Sequence, residues 1–144
     1  MTAPAIDHIG IIVEDLEASA ALMRKLLPGA ESRRKSLPQV GLEVVEFMAA
    51  NIIVELLQYT SEEAGLARQT MGDGIGFNHM SISVPDLDEA LDNLAPEGIA
   101  PMSGFPMQGA HGRIAFLNLD ARAPLRVELC QVDEAGHGGM SDDE

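Results

Sequence analysis

The feature of this sequence that most constrains its fold is an internal repeat, in which matched residues recur at a fixed offset. The segment Asp7-His8-Ile9 matches Asn78-His79-Met80, which lies 71 positions later. Toward the end of each half the offset becomes 73 positions, where Val54-Glu55-Leu56 matches Val127-Glu128-Leu129. A duplicated structural module accounts for both offsets.

The first half predicts the element order βαβββ. Ala5–Val13 alternates and is rich in β-branched residues, as an opening strand would be. Asp15 then stands at the N-cap position of an amphipathic run that reaches Leu27, and Pro28-Gly29 ends this helix. Three further strands are predicted near Ala30–Ser36, Val40–Met48 and Ile52–Tyr59.

The second half predicts the same order, with a strand at Gly76–Val84, a helix at Leu87–Leu94, and strands near Ile99–Phe105, Arg113–Leu119 and Leu125–Val132. We therefore expect an α+β fold in which two βαβββ modules form a curved, partly open mixed sheet around a metal site. Residues 1–132 are expected to be one domain: module one at about 5–59, a linker at 60–74 with one helical turn, and module two at about 75–132. The acidic, Gly-rich segment 133–144 is expected to be a disordered tail.

The charge balance argues against some classes of partner. The net charge of −14 comes from 23 acidic and 9 basic residues, and it repels polyphosphate backbones and anionic membrane surfaces. We therefore expect no nucleic acid as partner. We also expect no membrane as partner, because in addition no apolar run approaches the roughly 20 residues of a spanning helix. Cys130 is the only cysteine, which excludes an intrachain disulfide. We expect a cytoplasmic protein.

Two histidines and two glutamates occupy matched positions of the repeat. Taken singly, a strand histidine or glutamate is more often an ordinary core or surface residue, but the pairing has no obvious packing reason. Apolar neighbours on both sides of each glutamate turn its side chain to the opposite strand face. Two buried carboxylates need a compensating charge, which zinc, nickel, cobalt, manganese or ferrous iron would supply. We predict one divalent ion with four ligands: His8, Glu55, His79 and Glu128.

These residues resemble the vicinal oxygen chelate superfamily of glyoxalase, bleomycin resistance and dioxygenase proteins, and within it the methylmalonyl-CoA epimerase family. The more specific part of the resemblance is Leu37-Pro38-Gln39-Val40-Gly41 and Gly109-Ala110-His111-Gly112. The resemblance implies two βαβββ modules around a metal, with ligands at the four positions named above. It also implies an epimerase or isomerase whose small-molecule substrate has a carbonyl group and belongs to the acyl-CoA class. We expect a homodimer.

The chemistry such a site favours is removal of a proton beside a carbonyl group. The resemblance implies that Glu128 is both ligand and base, and that His111 contacts the substrate. The epimerases carry an acid where this chain has Gln39, and an amide cannot accept a proton. We therefore predict slow or absent methylmalonyl-CoA epimerisation unless Glu43 or Glu46 supplies the second base. Alternation places these two on opposite strand faces, so at most one of them points inward.

Three classes of function remain open from the sequence. An epimerase or isomerase acting by proton abstraction leads. A metal-dependent lyase, dioxygenase or resistance transferase of the same superfamily follows, and a metal-free small-molecule-binding protein comes last. Metal content separates the third class from the others, and solvent deuterium exchange into acyl thioesters separates the first from the second.

Overall fold

The computed structural model describes residues 3–63, 65–110, 112–119 and 125–132. The elements of the first half are β1 (Ile6–Ile12), α1 (Leu16–Leu26), β2 (Glu31–Leu37), β3 (Leu42–Met48) and β4 (Ile53–Tyr59), followed by α2 (Leu66–Met71). Those of the second half are β5 (Gly76–Ser83), α3 (Leu87–Leu94), β6 (Ala100–Pro101), β7 (Met107–Gln108), β8 (Gly112–Asn118) and β9 (Val127–Val132), with a 3₁₀ turn at Ala95–Glu97. The predicted tail 133–144 and His111 lie outside the described residues.

The described residues form two compact units, one within residues 7–80 and the other within residues 3–6 and 81–132. In the first unit the strand order is β2-β3-β4-β1, with the first residues of β5 beside β1. β1 pairs with β4 in parallel, whereas β3 pairs antiparallel with both β2 and β4. The sheet of this unit is therefore mixed, as expected from the sequence.

Helix α1 begins where the sequence places its cap. The Asp15 side chain accepts a hydrogen bond from the Ala18 amide at 3.0 Å, which satisfies one of the amides that a helix start leaves free. One side of α1 packs on one face of the sheet. Residues of α1, β3 and β4 form a buried core cluster there: Leu16, Ala20, Val45, Phe47, Val54 and Leu56. The opposite face of β3 and β4 carries Glu46 and Glu55 together with buried apolar residues.

The second unit has the same kind of helix cap and strand pairing. Asp86 caps α3 by accepting from the Glu89 amide at 3.1 Å. β8 pairs antiparallel with β9 on one side and with the short strands β6 and β7 on the other. The Val84 amide donates to the Cys130 carbonyl at 2.9 Å, so the end of β5 runs beside β9.

A glutamine side chain ties each of these helices to the last strand of its module. The Leu16 amide donates to Gln58 Oε1 at 2.8 Å, and the Leu87 amide donates to Gln131 Oε1 at 2.7 Å. These four residues keep the offsets of the sequence repeat, 71 positions for the leucines and 73 for the glutamines. The duplication therefore extends to individual hydrogen bonds.

The predicted α+β class with two βαβββ modules is confirmed. The strand predicted at Ile99–Phe105 is wrong beyond Ala100–Pro101. The Met102 amide still donates to the Phe116 carbonyl at 2.7 Å, and the chain then turns at Gly104, whose φ is 93°. The expected helical turn in the linker is α2. None of the described helices is long and apolar enough to cross a membrane. The single-domain organisation stays a prediction.

We expect Gln58→Met to lower the free energy of unfolding by about 1 kcal/mol, because the Leu16 amide loses its acceptor in a partly buried position. Gln131→Met should cost a similar amount for the same reason. Urea denaturation measures both. Gln108→Met, at an exposed position, is the control, and equal midpoints for all three variants would show that the two bonds contribute nothing.

Candidate metal centre

In the first unit, the face of the sheet opposite α1 carries four residues of interest, His8, Gly10, Glu46 and Glu55, among buried apolar residues such as Ile53. We call it the ligand face. Val54 and Leu56 belong to the core under α1, so Glu55 between them points the other way. His8 is the cross-strand neighbour of Ile53, which shares the face of Glu55. Strand alternation alone thus brings an imidazole and a carboxylate to the same side.

Three side chains bring their potential ligand atoms together: His8, Glu55 and His79. One atom from each lies within 4.8 Å of the others, and His8 Nε2 is 3.5 Å from Glu55 Oε1. Two ligand atoms that are each about 2.1 Å from the same metal ion lie about 3.0–3.5 Å from each other when the ligand–metal–ligand angle is about 90–110°. The three residues are 2–7% exposed, so the cluster is nearly closed to water.

The second ring nitrogen of each histidine is already occupied. Asp7 Oδ2 lies 2.9 Å from His8 Nδ1, and Asn78 Oδ1 lies 2.9 Å from His79 Nδ1. The Asn78 amide nitrogen donates to the Met71 carbonyl at 2.9 Å, which fixes the amide so that its oxygen faces the ring. An amide oxygen only accepts, so His79 carries its proton on Nδ1 and leaves the Nε2 lone pair for a ligand bond.

Gly10 makes room for the His79 ring. A Cβ added at Gly10 would lie 2.2 Å from His79 Cε1 and 2.7 Å from Nε2, so the ring rests directly on the glycine backbone. Gly10 is also the cross-strand neighbour of Glu55. The absence of a side chain at this one position therefore sets the imidazole beside the carboxylate.

The donor set fits a divalent transition-metal ion. Two neutral imidazoles and a carboxylate suit zinc, cobalt, nickel, manganese or ferrous iron, and an outer hydrogen bond to each ring is typical of histidines that bind metals. Glu55 is a carboxyl group held away from water, and a bound cation would offset the charge of its ionised form. His8, Glu55 and His79 can therefore hold one ion, which agrees with the sequence prediction for these three residues.

The two glutamates of β3 lie on opposite faces. Glu46 is the cross-strand neighbour of Glu55 and is 0% exposed, which places it on the ligand face. Glu43 is the neighbour of Gln58, on the side of α1. A hydrogen bond from Ser36, and then the charge and hydrogen bond of Arg34, lower the pKa of Glu43 below its usual value. Glu43 therefore stays an ionised partner of β2, and Glu46 is the carboxyl group beside the cluster.

Gln39 lies in the turn between β2 and β3 and is exposed. It lines a cleft of about 190 Å³ together with Tyr59 and Arg68. Since β3 starts at Leu42, Glu46 lies a further four residues, or about 13 Å, along the strand. The register therefore does not bring Gln39 to the three clustered ligands.

Glu128 belongs to the other compact unit, where it lies on β9 opposite Phe116 and is 5% exposed. Its role as a fourth ligand stays a prediction. The sequence interpretation missed the parts played by Gly10, Asp7 and Asn78. The signal was present, because a polar residue precedes each histidine at matched positions of the repeat.

The fold and this cluster agree with the match of the sequence to a known family. The chain belongs to the Glyoxalase/Bleomycin resistance protein/Dioxygenase superfamily, whose family model matches residues 7–116. It is 33% identical to the ethylmalonyl-CoA/methylmalonyl-CoA epimerase of Cereibacter sphaeroides over 132 residues, 88% of this chain and 97% of that protein.

Two solved epimerase structures share the fold. That of methylmalonyl-CoA epimerase from Mycobacterium tuberculosis has a TM-score of 0.78 at 20% identity, covering 93% of this chain and 91% of that one. A methylmalonyl-CoA epimerase in complex with methylmalonyl-CoA and NH₄⁺ has a TM-score of 0.76 at 23% identity, covering 92% and 97%. At these identities the structures establish the fold alone.

We expect Gly10→Ala to displace the His79 ring and to weaken metal binding by about tenfold or more, the loss typical when the support of a ligand is removed. Gly74→Ala is the matched control, because a Cβ there meets nothing within 4 Å. Titration with Co²⁺ measures both affinities. Wild-type affinity in Gly10→Ala would mean that His79 is not a ligand.

Proposed function

We propose that this protein is a metal-dependent epimerase of acyl-CoA thioesters that removes a proton beside the thioester carbonyl and returns it on the other face. The observation that carries the proposal is the buried cluster of His8, Glu55 and His79, whose ligand atoms lie within 4.8 Å of one another. Such a cluster has no packing advantage over apolar residues.

His8, Glu55 and His79 would hold the ion, with Glu128 as the fourth ligand. A divalent ion bound there would stabilise negative charge on the carbonyl oxygen of the substrate as a Lewis acid. The ring contacts of Asp7 and Asn78 keep both imidazoles oriented toward one point. Glu128 takes the substrate proton in this proposal, because a carboxylate at the edge of the site can serve as a general base.

Epimerisation needs a second acid–base group, and we propose Glu46 for that role. The prediction of slow epimerisation rests on the amide at Gln39, which lies in the turn before β3. Glu46 instead lies directly across from Glu55 on the ligand face. Arg33 is the cross-strand neighbour of Glu46 on β2. Its positive charge on the next strand offsets the negative charge of a buried carboxylate.

The acyl-CoA substrate class is supported by the relatives. The Cereibacter protein is named for ethylmalonyl-CoA and methylmalonyl-CoA, and one structural neighbour holds methylmalonyl-CoA. In such thioesters the proton between two carbonyl groups is acidic enough for a carboxylate to remove. The expected homodimer and cytoplasmic location stay predictions.

We expect purified wild-type protein to carry one equivalent of divalent metal and His79→Ala to carry none while remaining folded. Glu128→Gln should bind metal more weakly, because an amide oxygen is a poorer ligand than a carboxylate. Elemental analysis and circular dichroism are the measurements. A full equivalent of metal in His79→Ala would refute the proposed metal site. Unchanged metal affinity in Glu128→Gln would show that Glu128 is not a ligand.

We expect Glu46→Gln to slow the interconversion of the two methylmalonyl-CoA stereoisomers by about 100-fold or more. One stereoisomer should still exchange its α-proton with solvent deuterium. One remaining base can take and return a proton on its own face only. Glu43→Gln, on the other face of the same strand, is the control and should keep wild-type rates.

Two outcomes would contradict this assignment of the second base. Interconversion at the wild-type rate in Glu46→Gln would show that another group takes the proton. Loss of bound metal together with activity would show that Glu46 acts through Glu55 and not on the substrate. Absence of exchange in the wild-type protein with every acyl thioester tested would refute the epimerase itself and favour a lyase or dioxygenase.

A further inference from the structure

The second unit contains a buried hydroxyl group that the proposed chemistry does not use. Ser81 on β5 is 0% exposed, and its Oγ has no hydrogen-bond partner among the residues that the structure describes. An unsatisfied buried hydroxyl costs stability relative to alanine, and such groups call for an explanation in a native fold. Packing alone therefore does not account for serine at this position.

The repeat shows which residue lies beside Ser81. In the first module the Val13 amide donates to the Leu57 carbonyl, and Gly10 is the neighbour of Glu55. In the second module the Val84 amide donates to the Cys130 carbonyl. Val84 follows Val13 by 71 positions and Cys130 follows Leu57 by 73.

Applied to Gly10 and Glu55, the same two offsets give Ser81 and Glu128 as neighbours on adjacent parallel strands. The bond from the Leu87 amide to Gln131 repeats the bond from Leu16 to Gln58 with the same two offsets. Cross-strand neighbours share a face, with their Cβ atoms about 5 Å apart. A serine hydroxyl at that distance can reach a glutamate carboxylate.

We propose that Ser81 is a positioning residue for Glu128: when a metal ion is bound, the Ser81 hydroxyl donates a hydrogen bond to one carboxylate oxygen and so orients the other toward the ion. The inference rests on the proposed function, in which Glu128 is a ligand and base. Ligating carboxylates are themselves hydrogen-bonded in metal sites, and loss of such a partner costs about 10–100-fold in metal affinity. Glu128 is 5% exposed, so water has little access to replace the serine.

The test compares Ser81→Ala and Ser81→Cys with Ser83→Ala, which removes a hydroxyl two positions along the same strand. Cysteine keeps the size of serine but is a weak donor, so it separates loss of the donor from loss of volume. We expect both Ser81 variants to bind Co²⁺ about tenfold more weakly than wild type, and Ser83→Ala to bind normally. The melting temperature of metal-free Ser81→Ala should equal or exceed that of wild type, because before a metal ion binds Ser81 Oγ has no hydrogen-bond partner among the described residues.

A double-mutant cycle shows whether Ser81 acts through Glu128. In a Glu128→Gln background, Ser81→Ala should weaken Co²⁺ binding by much less than tenfold. Wild-type affinity in Ser81→Ala, or a large fall in its metal-free melting temperature, would overturn the inference and leave the epimerase proposal standing. Absence of Co²⁺ binding by the wild-type protein would instead overturn the proposed function and this inference together.

Discussion

Two carboxylates face each other across neighbouring strands in the interior of the first unit, and their mutual repulsion is the constraint on which the site depends. Glu46 is 0% and Glu55 is 7% exposed, and the register makes them direct neighbours. Water cannot screen charges held in this way, so both stay ionised only if cations lie close by. Arg33 and His8 lie on the strands to either side of this pair, and His79 lies one strand beyond His8. A divalent ion would complete the balance.

The two modules give equivalent positions different chemistry. His8 is oriented by a carboxylate and His79 by an amide, although Asp7 and Asn78 hold the same place in the repeat. A carboxylate makes its imidazole the more basic ligand. Gly10 and Ser81 differ in a similar way, since one position must be empty for a ring and the other carries a hydroxyl. Duplication supplied the symmetric framework, and these four residues make the site asymmetric.

Most of the fold could be predicted from the sequence because it is encoded locally. Alternation, the Asp15 and Asp86 caps and the proline and glycine breaks each act within a few residues, and their repetition in both halves reinforced the interpretation. The errors lie where long-range pairing decides. Strand β6 is shorter than the apolar pattern of Ile99–Phe105 suggests, because the chain turns away from β8 at Gly104.

Prediction of the site had the same limit. Pairing in the repeat identified His8, Glu55 and His79, and alternation showed that Glu43 and Glu46 face opposite ways. Which of the two faces the ligands depends on the register of β3 with β4, which no local pattern contains. The role of Gly10 depends on the approach of a ring from 69 positions away, and a glycine in a strand gives no sign of what it accommodates.

The origin of His79 has a consequence for the inheritance of this site. His8 and Glu55 come from the first copy of the repeat, whereas His79 comes from the opening strand of the second, yet all three lie in one compact unit that crosses the repeat boundary. A gene encoding a single copy would specify only one of the two clustered imidazoles. A half-length chain with one copy of the repeat could therefore form this cluster only by association with a second copy, whose first strand would contribute the other histidine. In the present chain both strands belong to one polypeptide, so the cluster forms without association of separate copies.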